Sequence, residues 1–518
     1  MKALIALRHA FRTGGQVLFS LAALAGAVSV IPRLAQISPG SSADLWEQMF
    51  PPSYEAPGAL LNAANETFLV ALVGTFLGFL LALLFVIVFG ESSARAMGFW
   101  SIPVWVSRGI PDVVFAVLLV QVFGLGPITG VLALALGTFG VSGKLLQDAF
   151  QTRSRATETV FVRGGMSRMK IVTSVVLPSL YRELLGQFLL RLEINFRIAI
   201  VLGLVGGGGL GLLLDRALGT MDYASATAVL VAIAIFVFSS ETLARLVRNR
   251  VSNSSASMLS SRTATLTPLI LTGLSVFYLV SLASRDDFRY SSTQAIKLAS
   301  ALIQPDFASQ AGAIFDGVVA SVSLAAVSAL LIFPLALGVA ALSSVVATGH
   351  RASSLLLRQV FGLARAVPVA VLSLFLVVPF GLGSQTSFIA LVIGGTLFIG
   401  RTAADFLDST SEQLAKISSR SGASVAARAV MVLAQNRSKL HRLWYFTLDF
   451  AFRYSIILGI LGSGGLGTVI LNAIRVQDLN TVTAATLVIL SVIVAIEAAQ
   501  PKAERRRQVF IESRKVAG

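Results

Sequence analysis

The chain has 518 residues, 55% of them hydrophobic and only 13% charged, with a mean hydropathy of +0.82. Soluble domains carry about 25% charged residues, so this composition excludes an ordinary water-soluble fold. The net charge of +16 does not signal nucleic-acid binding, because the basic residues gather at the ends of apolar stretches, at 2–12, 245–262 and 502–515, where they set membrane topology.

Charge-free stretches at 67–90, 113–143, 223–240, 263–284, 317–349 and 366–400 are long enough to cross about 30 Å of hydrocarbon as helix. The alternating ten-residue segments of a membrane β-barrel are not found, so the expected fold class is an all-α polytopic membrane protein. The first apolar segment, 17–31, follows a basic start and imitates a signal peptide, but its counterpart at 266–283 lies mid-chain, so both are read as retained spans. Six spans are expected near 16–36, 65–89, 98–124, 128–149, 180–205 and 223–244, and six more near 265–284, 315–343, 356–380, 386–408, 440–461 and 479–499. An even number returns each half to its starting side, so about twelve helices form two parallel six-helix repeats.

The expected units are therefore 1–251, a Ser/Thr-rich cytoplasmic linker at 252–264, and 265–518 with a basic tail. The basic ends place both termini and the linker on the cytoplasmic side of the plasma (inner) membrane. The outer segments 37–64 and 285–312 hold Trp46, Phe50, Tyr54, Phe288 and Tyr290, which suit an interfacial belt or a short helix lying on the membrane.

The halves repeat residue by residue. LEINFRIAIVLGLVGGGGLG (192–211) parallels LDFAFRYSIILGILGSGGLG (448–467) at an offset of 256, aligning Glu193 with Asp449 and Arg197 with Arg453. Ser107-Arg108-Gly109-Ile110-Pro111 parallels Ala364-Arg365-Ala366-Val367-Pro368 at an offset of 257, and Lys144 and Asp148 parallel Arg401 and Asp405.

Three sets of residues are candidates for mechanism. Glu193/Arg197 and Asp449/Arg453 stand four apart on one face of the fifth span in each half, where an ionisable group faces a cavity or a partner. They either neutralise one another and pin neighbouring helices or line a path for an anion. Arg108 and Arg365, three residues before a proline, either snorkel to the headgroups or present a planar fork to an oxyanion. The glycine clusters Gly206, Gly207, Gly208, Gly209 and Gly462, Gly464, Gly465 have no Gly-Lys-Ser/Thr and no preceding strand, so they bind no nucleotide. They suit close packing or a tight re-entry turn at the outer end of span five, or a gate touching a substrate donor protein. No cysteine is present, and His9, His350 and His441 are scattered, so no metal site is expected.

The loop between spans four and five, TETVFVRGGMSRMKIVTSVVLPSL (157–180), reads as a short amphipathic helix, a glycine turn and a basic helix ending in proline. Gly165, followed by Leu177-Pro178, resembles the EAA loop of ABC-transporter permeases, although the family's glutamate position holds Thr159, with Glu158 one residue earlier. The second half supplies Gly422 in Ser421-Gly422-Ala423-Ser424, but Gln435 stands where the proline should be. More closely, SRGIPDVVFAVLLVQVFGLGPITGVLALALGTFGVSGK, RGGMSRMKIVTSVVLP, RLEINFRIAIVLGLVGGGGLG and their second-half counterparts ARAVP, FGLG, SGAS and DFAFRYSIILGILGSGGLG resemble the permease subunit of phosphonate importers over about 65–250 and 315–500. This chain is similar to two such permeases fused.

That resemblance implies a type I ABC importer permease and no enzyme activity in this chain, which binds no cofactor. ATP and Mg would sit on two copies of a separate cytoplasmic ATPase, gripping Glu158, Gly164, Gly165, Ser167 and Arg168 in one half and Glu412, Gly422 and Ser424 in the other. An extracytoplasmic binding protein would deliver phosphonate, phosphite or phosphate. A methionine-type importer shares the glycine element. A secondary transporter with parallel repeats is the reading from another class, with Glu193 and Asp449 as its only intramembrane acids for coupling.

Overall fold

A computed structural model describes residues 47–54, 56–89, 99–152, 160–161, 163–253, 261–284, 290–348, 351–365, 367–408, 424–435 and 437–500. The expected first span, Glu158, Glu412, Gly422 and both termini lie outside these. The described residues form helices and connecting turns. We number them α1 Pro57–Phe89, α2 Ile102–Gly109, α3 Asp112–Phe123, α4 Pro127–Thr152, α5 Leu177–Leu202, α6 Gly209–Gly219, α7 Tyr223–Asn253, α8 Ser261–Ala283 and α9 Ser292–Ile303. The chain continues as α10 Ala311–Ser343, α11 Arg351–Ala364, α12 Val369–Phe380, α13 Ser384–Asp408, α14 Val425–Gln435, α15 Arg437–Leu458, α16 Leu466–Arg475 and α17 Leu479–Ala499.

Seven helices among the described residues are long and apolar enough to cross a membrane, and two sharply bent pairs raise the number to nine. The first bent pair corrects the expected single span at 98–124: α2 and α3 meet at 94°. Pro111 causes the break, since it has no N–H to donate and forces Ile110 into an extended conformation (ψ 128°). The expected span at 356–380 divides in the same way into α11 and α12 before Pro368. The fifth span also runs past its expected end at 205, bending by 52° through Gly203–Gly207 into α6.

Two further expectations change. The loop's basic helix does not stop at its proline. Arg168–Ile171 passes through a wide π-turn at Val172–Val176 into α5, and Pro178 is the second residue of α5, directly after that turn. Residues 57–64 do not form a separate short helix; they extend α1 to 33 residues. In the second half α9 is the short amphipathic helix that was expected, and Tyr290 just before it packs on Phe123 at 5.8 Å.

The core of the first half is α1 against α4. A Cβ at Gly78 would stand 2.3 Å from the carbonyl oxygen of Ala135, so only glycine permits that approach. Aligned residues of the two halves take the same local forms. Gly124 and Gly381 have φ of 74° and 75°, Gly206 and Gly462 have 99° and 103°, and even the non-glycine pair Met221 and Gln477 has 58° and 57°. The N-terminus of α6 is capped from another helix, Leu210 N–H donating to Thr67 Oγ1 at 2.9 Å, and α16 repeats this with Leu466 N–H and Ser321 Oγ at 2.9 Å.

Candidate functional site

The elbow between α2 and α3 sets the site. It leaves Arg108 in the last turn of α2, pointing across to the second half, where its Nη2 meets Glu497 Oε2 of α17 at 2.5 Å. The aligned elbow of the second half places Arg365 Nη2 3.9 Å from Glu241 Oε2 of α7, in the first half. Glu241 and Glu497 are themselves aligned at the offset of 256. The contacts are therefore reciprocal: each half lends an arginine to the other's acid.

The fifth-span residues join the same layer, in two different ways. Arg453 pairs with Asp449 at 2.9 Å, the pairing their spacing allows, and also donates to the Arg108 carbonyl at 3.0 Å in the opposite half. Arg197 does not pair with Glu193. It forms its ion pair with Glu241, while Glu193 receives Arg248 Nη1 at 3.2 Å. The competing carboxylate decides this: Glu241 has a side chain only 3% exposed, and a charge so buried must be matched. Four guanidiniums (Arg108, Arg197, Arg365, Arg453) thus meet three carboxylates (Glu241, Glu497, Asp449), leaving one positive charge in excess.

Sequence reasoning passed over Glu241 and Glu497. Their signal was present, since each is a lone acid in an apolar span and both recur at the offset that aligned the arginines.

A second polar cluster belongs to the first half alone. Arg191 on α5 lies 3.4 Å from Asp112 Oδ1 and hydrogen-bonds Thr138 Oγ1 at 3.3 Å. Asn195, fully buried, donates to Thr75 and Thr138, both at 2.8 Å. The aligned positions in the second half are Val369, Thr447, Gly395, Ala451 and Ala329, which hold no charge.

Between the halves lies a cavity of about 490 Å³, lined by Val117, Gln121, Val205 and Asp215 from one half and Leu374, Leu461, Gly462 and Arg475 from the other. Gly462, and Val205 just before the first glycine cluster, lie in its wall. Positive φ at Gly206, Gly208 and Gly209, and at Gly462, Gly464 and Gly465, bends the chain between the fifth-span helix and the short helix after it. Gly207 is buried in the same turn. These glycines make a turn rather than a flat packing face. Val117 is five residues, about 7 Å of helix rise, along α3 from its first residue at the elbow that carries Arg108.

The loop candidates are separate from this site. Gly164, Gly165 and Ser167 are exposed, with Gly165 at φ 77° closing a turn in which Met166 N–H bonds the Phe161 carbonyl at 3.1 Å; Arg168 begins the next helix. Ser424 is exposed at the start of α14, its Oγ accepting from Ala427 N–H at 3.2 Å. No group of three or more metal-ligating side chains occurs among the described residues.

Comparison with known proteins gives the site a context. Residues 74–253 match the family described as binding-protein-dependent transport system inner membrane component. The phosphate-import permease protein PhnE of Mycolicibacterium smegmatis is 26% identical over 481 residues, 91% of this chain and 90% of that one, so the likeness runs through both halves. The phosphite transport system permease protein PtxC of Stutzerimonas stutzeri is 26% identical over 200 residues, 38% of this chain and 73% of that one. A permease named for a cryptic phosphonate transport system, PhnE2 of Escherichia coli, is 32% identical over 106 residues, 20% of this chain and 87% of that one. The chain belongs to the family of inner-membrane permease components of binding-protein-dependent transport systems.

Proposed function

We propose that this chain is the transmembrane pathway of an ATP-driven importer for phosphonate or a related phosphorus oxyanion. Its units, 1–251 and 265–518, are twin six-span bundles of the type I importer kind, twelve spans in all, joined by the linker 252–264 and related by a twofold axis along the membrane normal. The reciprocal contacts Arg108–Glu497 and Arg365–Glu241, and the shared turn conformations, support that symmetry. The glycine turns and the cavity face outward; the termini, the linker and the loops at 157–170 and 412–426 face the cytoplasm.

In this reading two copies of a separate ATPase grip those loops through Gly164, Gly165, Ser167 and Arg168, and through Ser424 and its neighbours, and carry the ATP and Mg. Closure of the ATPase rocks the bundles, and a binding protein releases its cargo into the cavity. Reopening exposes the cargo to the cytoplasm. The observation that carries the choice of cargo is the guanidinium layer below the cavity, with its excess positive charge. Planar forks donate paired hydrogen bonds to phosphorus oxygens, and relatives named for phosphate, phosphite and phosphonate agree with that chemistry. An ion-coupled secondary transporter is less well supported, because Glu193 and Asp449 each already hold an arginine.

The test is a strain lacking the gene, supplied in turn with phosphate, phosphite, methylphosphonate or methionine, together with gentle-detergent purification of the tagged chain. Lost growth on a phosphorus oxyanion and a co-purifying ATPase are expected. Unimpaired growth on all of them, or uptake driven with no ATPase attached, refutes the reading.

A further inference from the structure

Every guanidinium in the layer below the cavity is already engaged. Arg108 holds Glu497, Arg197 and Arg365 share Glu241, and Arg453 holds Asp449 and a backbone carbonyl of the opposite half. An anion arriving from the cavity therefore meets arginines whose donors are turned toward internal carboxylates. Two of those carboxylates also tie the halves together. Glu497 receives its arginine from the first half, and Glu241 stands 3.9 Å from Arg365 of the second, within ion-pair range. Binding the cargo and holding the halves shut thus compete for the same N–H groups.

We propose that Glu241 and Glu497 are stand-in anions that occupy the guanidinium layer when it is empty and are displaced by the phosphorus oxyanion, so that the cargo itself unties the halves. This rests on the proposed function and adds to it the identity of the latch.

The charges favour the exchange. Four guanidiniums against three carboxylates leave the layer one positive charge in excess, so a dianion gains more there than a singly charged carboxylate does. The oxyanion also offers three oxygens to planar forks where each carboxylate offers two. Glu497 is the easier of the two to displace, its side chain being 26% exposed against 3% for Glu241. The exchange therefore begins at the Arg108 end.

The test is equilibrium binding of methylphosphonate to the purified full-length chain. Removing a competitor should tighten binding, so Glu497→Gln should lower Kd about five- to tenfold. Removing the shared donor should weaken it, so Arg108→Gln should raise Kd at least about tenfold. Glu497→Asp, which keeps the competing charge, should stay near the wild-type value and shows that the site tolerates substitution. Opposite signs for the two neutralised variants support the exchange. A simple structural brace predicts that both weaken binding, and that result, or an unmoved Kd in Glu497→Gln, overturns it. Methylphosphonate uptake by wild-type cells is scored separately. Its absence refutes the proposed function, whereas uptake with Kd shifts of one sign refutes only the latch.

Discussion

Replacing Asp112 by valine should strand Arg191, and the second half supplies the remedy. Arg191 has a side chain 9% exposed, its acid lies at 3.4 Å, and its Nε reaches only a threonine hydroxyl. Breaking a buried ion pair from one side costs about 3–5 kcal/mol; with Asp112 itself 20% exposed, the lower end, about 3 kcal/mol, applies. Arg191→Thr alone strands the more accessible Asp112 and should cost less. The aligned pair in the second half is Val369 and Thr447, so Asp112→Val with Arg191→Thr installs a combination that the same architecture already carries. Replacing both charges by neutral groups of similar shape is often close to neutral, and the double variant should lose about 1 kcal/mol or less. Denaturation of the purified chain, read as a double-mutant cycle, should therefore give a coupling of about 2 kcal/mol or more. If the double loss equals the sum of the single losses within about 0.5 kcal/mol, the pair is not a coupled buried unit and the reasoning fails.

Other expectations follow from single contacts. An alanine at Gly209 (φ 69°) would put its Cβ 2.2 Å from the Thr67 Oγ1 that caps α6, whereas at Gly464 (φ 95°) nothing lies within 4 Å. Both should lose about 1 kcal/mol to backbone strain, and Gly209→Ala should lose more; equal melting temperatures would refute the packing argument. Gly137→Ala would aim its Cβ at Asp112 Oδ1 and should reproduce much of the Asp112→Val defect, adding little when the two are combined. Asp222 caps α7, and the Ser225 hydroxyl and backbone N–H hold its carboxyl below the usual carboxylate range. A depressed folded value means that the cap is in place above the ordinary value of about 3.9 and is lost as pH falls through the lower one. Protection of the amides at residues 223–226, taken relative to their intrinsic exchange rates at each pH, should therefore fall only below about pH 4, and Asp222→Ala should lower it at every pH; a fall between about pH 5 and 7 would contradict the assignment.

Much of this architecture was legible because a bilayer writes simple rules into a chain. Long charge-free stretches gave α1, α4, α7, α10 and α13, since an unpaired backbone group in hydrocarbon leaves helix as the default. The elbows were missed although Pro111 and Pro368 stood in view, because hydropathy measures length and not direction. The arginines were found by their repeat, and the i,i+4 rule gave Arg453 its Asp449; it missed Glu241 and Glu497 because it looks along one helix. Glu193 and Arg197 satisfy that rule and still separate, since Glu241, on another helix and almost wholly buried, competes for the same guanidinium. The cluster around Arg191 was invisible for the opposite reason: it has no counterpart in the second half, so the repeat could not point to it.

The central claim is that two aligned halves face one another and exchange arginines across a common path. The chain contains no cysteine, so thiols can be introduced one pair at a time without background. Arg108→Cys with Glu497→Cys, and separately Arg365→Cys with Glu241→Cys, should each be joined by a short bismaleimide in native membranes. After cleavage at a protease site built into 252–264, both pairs should hold the two halves together on a denaturing gel. Cross-linking of only one pair, or of neither in chains present at normal levels, would contradict the reciprocal arrangement and the paired-bundle account built on it.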